Sequence, residues 1–328
     1  MKKLLLLLSL SFYFIVCYAQ NNPKEYYEYI NKAELAICDF KYEKASKFYE
    51  KAFKEHTPFI NDLFNATILN TKFTKNYNLS LQYSRTLLQR DFEIGWIYRD
   101  IPPEDSLIAK QLKILEDTVK SLTDKNLIRV IDEMGVDDQK YRTNYEEYEK
   151  NRTIDSVHYF KLIELFSKKG YLTEQNIGLF QYTPIHGILT HTAQHQFNPQ
   201  NLLLKHVLDG DVYSKLYMKY YDLYMEYLDK PTIYYMGWQD IFISNDILFI
   251  NYPENISKFN EERKKINISE TWEDYVKKVK YQFLIGNFQL YTIVQRFYEG
   301  NEVEELIKEI DEEHQKGIYK REYIRKEK

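Results

Sequence analysis

The spacing of small and aromatic residues across positions 33–58 is the sequence feature that most restricts the fold. The segment reads AELAICDFKYEKASKFYEKAFKEHTP, and Ala33 and Ala36 share one face of a predicted helix. The next helix carries its small and aromatic residues at intervals of three or four, at Tyr42, Ala45, Tyr49 and Ala52. Small residues allow two helices to approach closely, and aromatic rings fill the space between them. The pattern predicts a helical hairpin that Pro58 closes.

This hairpin resembles a tetratricopeptide repeat, most clearly in YEKASKFYEKAF. A second unit in NYNLSLQYSRTLL places Ser80 and Leu87 thirty-five residues after Ala45 and Ala52, close to the period of that repeat. Members of the repeat family bind peptides or proteins in a concave groove, so the resemblance implies a protein or peptide partner. Since a stable solenoid needs about three repeats, we favour a supporting role for the two units over a binding groove.

The first twenty residues, MKKLLLLLSLSFYFIVCYAQ, have the pattern of a secretory signal peptide. Two lysines precede an apolar run over residues 4–16, which is shorter than the ~20 residues that span a bilayer. We predict a signal peptide over 1–19 and a periplasmic, cell-envelope or secreted location for the mature chain. Lipidation at Cys17 is the alternative, and Val16 disfavours it because a lipoprotein signal has a small residue there.

Charge and cysteine content narrow the class of the mature protein. The formal net charge of the full sequence is -4, which argues against a nucleic-acid partner. Only Cys38 remains after cleavage, so no internal disulfide can form, and we expect a buried thiol. No later apolar run is long enough to cross a membrane, so we predict no transmembrane helix after signal removal.

The predicted fold class is mostly α, with tetratricopeptide-like helical hairpins followed by a helical domain that contains one β-hairpin. Pro102 and Pro103 end one element, and Asp105 or Ser106 can cap the next helix. After the signal peptide we predict four units, namely repeats over 20–100, a connecting helix over 101–124, a helical domain over 125–285, and a C-terminal helix and tail over 286–328.

Several elements of the second region can be placed from the sequence. One helix is expected to begin near Asp137 and another at Asp155 or Ser156. The second of these has apolar residues that predict a broad buried face, at Val157, Phe160, Leu162, Ile163, Leu165 and Phe166. IFISNDILFI has two apolar runs around Ser-Asn-Asp and predicts the β-hairpin. The basic segment after residue 315 is expected to be a frayed, solvated tail.

The second region also carries a series of motifs in a fixed order, namely Asp138-Gln139-x-x-Arg142, Gly170, Gln194-His195, Gly237-x-Gln239 and Asn260-Glu261-Glu262-Arg263. Their order and spacing resemble a bacterial family of unknown function over about residues 125–280. Met236 departs from the family pattern, which prefers Tyr at that position. The family has no settled activity, so the resemblance implies positions for a site and no chemistry.

The HTAQH segment invites comparison with a zinc site, because His191 and His195 are one helical turn apart. An H-E-x-x-H zinc motif needs a Glu after the first His, and Thr192 stands there instead. We therefore predict no metal and no cofactor. The plainest interpretation makes His191 a surface or groove residue and His195 a hydrogen-bonded residue at a helix end.

Six polar side chains form the candidate site, namely Asp138, Gln139, Arg142, His195, Gln239 and Arg263. Arg142 follows Asp138 by four residues, so the two can pair on one helix. A carboxylate would orient the imidazole as a general base, and the guanidinium groups could clamp a carboxylate or phosphate.

Three functional hypotheses follow from this candidate site. The first is binding of a partner or small ligand around His195. The second is an enzyme that uses His195 with Asp138 in acid–base catalysis, and the third is a purely structural or scaffold protein. The sequence lacks a Gly-x-Ser-x-Gly nucleophile motif, which argues against a covalent hydrolase.

Overall fold

The computed structural model describes residues 22–98, 101, 103–140, 142, 148–168, 172–179, 183–194, 197–234, 236, 241–244, 246–290, 294–295 and 302–326. The predicted signal peptide, with the lipidation alternative at Cys17, lies outside these residues. Within them the chain is mostly α-helical, which confirms the predicted fold class. None of the helices in these ranges combines the length and the apolar character needed to cross a membrane.

Helices α1 (Pro23–Cys38) and α2 (Tyr42–Glu55) form the predicted helical hairpin. The Asn22 side chain caps α1 by accepting a hydrogen bond from the Glu25 N–H at 3.2 Å. The small and aromatic residues expected inside are buried, namely Ala33, Ala36, Ala45, Tyr49 and Ala52. Cys38 is buried as expected, and burial raises the pKa of its thiol to about 12.

The helices that follow lie in the rest of the predicted repeat region and in the region predicted to be a connecting helix. They are α3 (Ile60–Ile68) with a π-helical turn (Leu69–Phe73), α4 (Tyr77–Gln89), α5 (Gly95–Tyr98), a 3-10 turn (Pro103–Asp105) and α6 (Ser106–Thr118). Ser80 and Leu87 are buried in α4, where the second unit predicts inward-facing residues. Asp105 precedes α6 without capping it through its side chain, because its carboxylate accepts a hydrogen bond from the Tyr77 hydroxyl at 2.5 Å.

The second region is also helical, with capping residues at several helix starts. Its helices are α7 (Lys125–Gln139), α8 (Tyr148–Ser167), α9 (Glu174–Ile177), α10 (Ile185–Gln194), α11 (Pro199–Leu208), α12 (Ser214–Tyr227), α13 (Ile256–Lys265), α14 (Trp272–Ile285) and α15 (Glu302–Gln315). Asn198 caps α11 by accepting a hydrogen bond from the Gln200 N–H at 2.8 Å. Thr271 and Asp274 form a capping box at the start of α14.

Two predicted helix starts are wrong. No helix begins near Asp137, because α7 continues through it to Gln139. Helix α8 begins at Tyr148, so Asp155 lies inside the helix. The predicted apolar face of α8 is only partly buried, since Leu162, Leu165 and Phe166 are buried and Val157, Phe160 and Ile163 are exposed. The buried face instead includes three polar residues at helical spacing, namely Asn151, Asp155 and His158.

The predicted β-hairpin is confirmed as strands β1 (Ile241–Ser244) and β2 (Ile247–Asn251). The strands are antiparallel, with Ile241 opposite Ile250 and Ser244 opposite Ile247. Asp246 in the turn has φ 60°, the left-handed conformation that tight hairpin turns require and that Asp tolerates better than most residues. Strand β3 (Val294–Gln295) adds in parallel to β1.

The tail does not fray as predicted. Residues 321–325 form strand β4 (Arg321–Arg325), which pairs antiparallel with β2 and completes the order β3-β1-β2-β4. The free edge of β2 offers unpaired backbone groups, and β4 satisfies them. Helix α15 covers the sheet with buried Val303, Ile307 and Ile310. Arg321 also pairs with Glu313 of α15 at 2.6 Å, which fixes the start of the strand.

A continuous hydrophobic core extends from Tyr26 in α1 to Leu290 after α14. Polar contacts accompany it, because the buried Lys278 ammonium of α14 donates to Asn31 at 2.6 Å and to Glu34 at 2.5 Å. The same ammonium lies 2.6 Å from Glu270, so three acceptors meet its three N–H groups. Residues on both sides of the predicted boundary over 101–124 thus share one core, and the division into domains stays a prediction.

Candidate functional site

Asp138 lies in the last turn of α7, and Arg142 follows just beyond the helix. The pairing expected from their spacing is present, since Arg142 Nη2 lies 2.7 Å from Asp138 Oδ1. Arg142 Nε also donates to the Asp138 carbonyl at 3.0 Å. The Gln139 side-chain amide donates to Asp138 Oδ2 at 2.7 Å. Three of the six predicted site residues, Asp138, Gln139 and Arg142, are therefore in direct contact.

Asp155 of α8 is a second carboxylate at this site, and the sequence prediction missed it. Arg142 Nη1 donates to Asp155 Oδ2 at 3.2 Å, and Nη2 contacts Asp155 Oδ1. The Asp138 and Asp155 side chains are 1% and 0% exposed, whereas that of Arg142 is 15% exposed. All three guanidinium nitrogens of Arg142 thus contact oxygens of the protein, which argues against the predicted role of this residue as an anion clamp.

His191 of α10 contributes the imidazole of the described site. Its Nδ1 lies 2.8 Å from Asp138 Oδ2, and its side chain is 20% exposed. The ring is therefore bound to a buried carboxylate while one side reaches solvent, a contact that the sequence did not predict. The ring of His158 in α8 also lies near Asp138, with Nδ1 3.9 Å from Asp138 Oδ1 and Nε2 3.4 Å from Asp137.

Neighbouring charges determine the ionisation states of Asp138 and Arg142. Burial alone would raise the pKa of Asp138, but His158, His191 and Arg142 outweigh it and hold that pKa well below its usual range. Burial would lower the pKa of Arg142, but its bonds to Asp155 and Asp138 raise it. Because Asp138 is ionised and can only accept hydrogen bonds, His191 Nδ1 must be the donor. That tautomer leaves the lone pair of a neutral ring on Nε2.

His186, also on α10, has a different environment. Its Nδ1 is hydrogen-bonded to the Tyr220 hydroxyl. Burial lowers the pKa of His186 to about 4, and the positive charge of Lys219 acts in the same direction. His186 is therefore neutral near pH 7 and belongs to the packing between α10 and α12.

Of the remaining predicted site residues, Arg263 is described and does not join the contacts around Asp138. Arg263 is fully buried in another cluster, where it pairs with Glu270 and donates to the Tyr234 carbonyl at 3.3 Å. Its guanidinium lies 4.8 Å from the Phe259 ring centroid and 5.0 Å from that of Tyr275. His195 and Gln239 lie outside the described residues, as do Gly170 and Gly237 of the same motifs.

Asp138, Asp155 and His191 also have the composition of a metal site. One ligand atom each from Asp138, Asp155 and His191 lie within 4.8 Å of one another, and their donor types suit a divalent cation. The Arg142 guanidinium, however, already contacts both carboxylates and supplies the positive charge that a metal would bring. A metal would have to displace it at the cost of a buried ion pair. The absence of a resident metal stays a prediction.

No family model, no curated protein and no solved structure matches this chain. The resemblances drawn from the sequence therefore stay predictions.

Proposed function

We propose that this protein binds a small ligand beside His191 and that His191, oriented by Asp138, exchanges a proton with it. The observation that carries the proposal is the 2.8 Å contact between His191 Nδ1 and Asp138 Oδ2, together with the partial exposure of the imidazole. A buried carboxylate that holds one ring nitrogen while the other can meet a ligand is the arrangement that general acid–base catalysis uses.

The surrounding residues support the role of Asp138 as a positioning residue. Arg142 and Gln139 fix its carboxylate, and Asp155 fixes Arg142 in turn. The fixed negative charge lies where it would stabilise the imidazolium that forms when His191 accepts a proton. Because Arg142 is already shared by two acids, a neutral or cationic ligand suits the site better than a carboxylate or phosphate.

The reaction class that fits is proton transfer without a covalent intermediate. Cys38, the one thiol of the mature sequence, is buried in α1 with its pKa raised. It is therefore unsuited to nucleophilic attack. This proposal replaces His195 by His191 as the acid–base residue and keeps Asp138 from the sequence prediction.

A purely structural role for the cluster is the second candidate. It is favoured by the near-complete burial of Asp138 and Asp155, which a network that only joins α7 and α8 would also have. Under this alternative His191 would contribute to stability and to nothing else.

The proposal also covers where the protein is located and what it binds. The signal-peptide pattern supports export with a mature N-terminus at Gln20, and mass spectrometry of the protein from its host would test it. An acylated Cys17 at the N-terminus would instead support the lipoprotein alternative. The paired helices α1 and α2 support a tetratricopeptide-like unit and, through it, a protein or peptide partner.

The test uses 5-nitrobenzisoxazole as a probe of His191, because a general base removes its carbon-bound proton while the ring N–O bond breaks to give a cyanophenolate, with no covalent intermediate. We expect His191→Gln to lower the rate by at least about tenfold with little change in melting temperature, and Asp138→Asn to lower it too. His206→Gln is the control, because this ring is 14% exposed and also lies near a carboxylate, 3.6 Å from Asp211. Equal rates for the wild type and His191→Gln, with a much lower melting temperature for the variant, would support the structural alternative.

A further inference from the structure

A second site lies where the N-terminal helices meet the second region. A cavity of about 650 Å³ opens between the loop after α4, helix α7 and the segment around α9. We propose that this cavity binds a small organic cation, with an ammonium or guanidinium group attached to an apolar body. Cavities of this size accommodate small organic molecules.

The walls of the cavity provide the apolar surface. Phe64 and Phe92 lie with their ring centroids 5.4 Å apart, and Trp96 stands beside them with 65% of its surface exposed. Ile131 of α7 and Ile177 of α9 line the cavity with buried side chains. Aromatic faces attract cations, and they attract Lys-, Arg- and quaternary-ammonium-like groups most when these groups are partly desolvated.

The charges of the cavity have one sign. Asp91, Glu93 and Asp132 line it, and no residue described in its lining carries an amine or a guanidinium. Asp91 is paired with Lys125 at 2.9 Å, a solvent-exposed contact. Glu93 and Asp132 are exposed and have no such ion pair among the described contacts. Two carboxylates beside three aromatic rings are complementary to an organic cation and repel an anion.

The cavity is held open by contacts of its own walls. The Asp124 N–H, at the start of α7, donates to the Asn176 carbonyl of α9 at 2.7 Å. Glu174, in α9, accepts a hydrogen bond from the Ile60 N–H at the start of α3 at 2.6 Å. These bonds tie α3, α7 and α9 together around the space, so the ligand meets a surface that is already formed.

This cavity is separate from the His191 site. Gly135 lies between the two sites on α7, and a Cβ there would approach Pro184 Cβ to 2.4 Å, so the backbone of α7 touches the start of α10. Asp132 and Asp138 are six residues apart, about 9 Å along the helix axis. The inference therefore does not depend on the function proposed for His191.

The experiment is calorimetric titration of the mature protein with phenethylamine, 2-phenylethanol and 3-phenylpropanoate, three probes that share a phenyl ring and differ in charge. We expect phenethylamine to bind at least about tenfold more tightly than the alcohol, because ion pairing and cation–π attraction both favour it. The carboxylate should not bind. Absence of phenethylamine binding, or equal binding of amine and alcohol, would overturn the proposal.

A double variant that neutralises two acidic residues of the cavity locates the binding. Glu93→Gln combined with Asp132→Asn should weaken phenethylamine binding by about tenfold. Glu133→Gln is the matched control, because Glu133 neighbours Asp132 on α7 but does not line the cavity. His191→Gln should also bind normally. If Glu133→Gln weakens binding as much as the double variant, the charge effect is not local and the proposal is wrong. Methyl NMR shifts of Ile131 and Ile177 on titration provide a second readout that needs no variant.

Discussion

At the scale of single residues, Asp138 contributes both to the candidate site and to the stability of the fold. Its buried carboxylate contacts an amide, a guanidinium and an imidazole, from Gln139, Arg142 and His191. The Asp138–Arg142 pair was predictable from its four-residue spacing, although α7 ends at Gln139 and Arg142 lies just beyond it. His191 was not, because 53 residues separate it from Asp138 and nothing local joins them.

Removing either member of the Asp138–Arg142 pair should destabilise the fold. We expect Asp138→Ala or Arg142→Ala to lower the free energy of unfolding by about 3 kcal/mol. The first variant removes one of the two carboxylates that Arg142 contacts, and the second removes the cation from two buried carboxylates. Arg129 and Glu133 form the matched control, a pair with the same spacing on α7 that is exposed and 4.0 Å apart. Arg129→Ala should cost less than about 1 kcal/mol. Urea unfolding measures both, and equal losses would contradict the burial argument.

Glu174 gives a prediction on pH. Burial raises the pKa of Glu174 to about 7, although the hydrogen bond from Ile60 N–H and the charge of Arg90 oppose the rise. The folded state therefore takes up this proton at higher pH than the unfolded chain. The resulting stabilisation is complete below the unfolded pKa of about 4.3 and is lost as pH rises through about 7.

Replacing Glu174 by Gln should remove that pH dependence. Between pH 8 and pH 6 the wild type should gain about 1 kcal/mol relative to Glu174→Gln in the free energy of unfolding. Comparing the two proteins cancels the contributions of all other titrating groups. Denaturant titrations at both pH values measure the difference, and parallel curves would show that Glu174 titrates as an ordinary carboxylate.

At the scale of helices and strands, local sequence patterns predicted some elements correctly. They failed where tertiary contacts determine whether an element forms or where it begins. The β-hairpin was predictable because its turn residues and apolar runs are adjacent in sequence. The start of α8 was not, because Asp155-Ser156 has the composition of a helix cap and the carboxylate is used by Arg142 instead. Strand β4 was missed because its partner, β2, lies some 70 residues earlier in the chain.

Two glycines offer a test of how closely α7 and α10 pack. A Cβ on Gly135 would overlap the Pro184 ring, whereas a Cβ on Gly187 of α10 meets nothing within 4 Å. We expect Gly135→Ala to destabilise the protein by about 1–3 kcal/mol through overpacking. Gly187→Ala should instead stabilise it by about 0.5–1 kcal/mol through helix propensity. Thermal melts give the signs, and stabilisation by both would mean that the two helices separate easily.

At the scale of the whole molecule, buried charges join the first helix to a late one. Lys278 is 1% exposed and contacts Glu34 of α1 as well as Glu270. Burial would raise the pKa of Glu270, but Lys278, Arg263 and Lys215 lower it to about 2, so the pair is ionised at neutral pH. The sequence predicted separate regions and could not indicate this connection, because its partners are 244 residues apart.

Two neighbouring lysines on α14 allow a buried ion pair to be compared with an exposed one. Lys278→Ala should lower the free energy of unfolding by about 3–5 kcal/mol, because it leaves buried carboxylates without their cation. Lys277→Ala removes an exposed contact to Asp39 and should cost less than about 1 kcal/mol. Guanidinium unfolding followed by circular dichroism distinguishes them. Similar midpoints for the two variants would mean that the ammonium of Lys278 contributes little.

The contact between Glu34 and Lys278 also has a consequence for the order of folding. A chain synthesised from its N-terminus contains the residues of α1 long before those of α14. The carboxylate of Glu34 therefore cannot contact Lys278 until α14 has been synthesised. Contacts between such distant segments carry a large loop-closure entropy and slow the rate-limiting step. The nascent protein therefore cannot complete its core until residue 278 has been made.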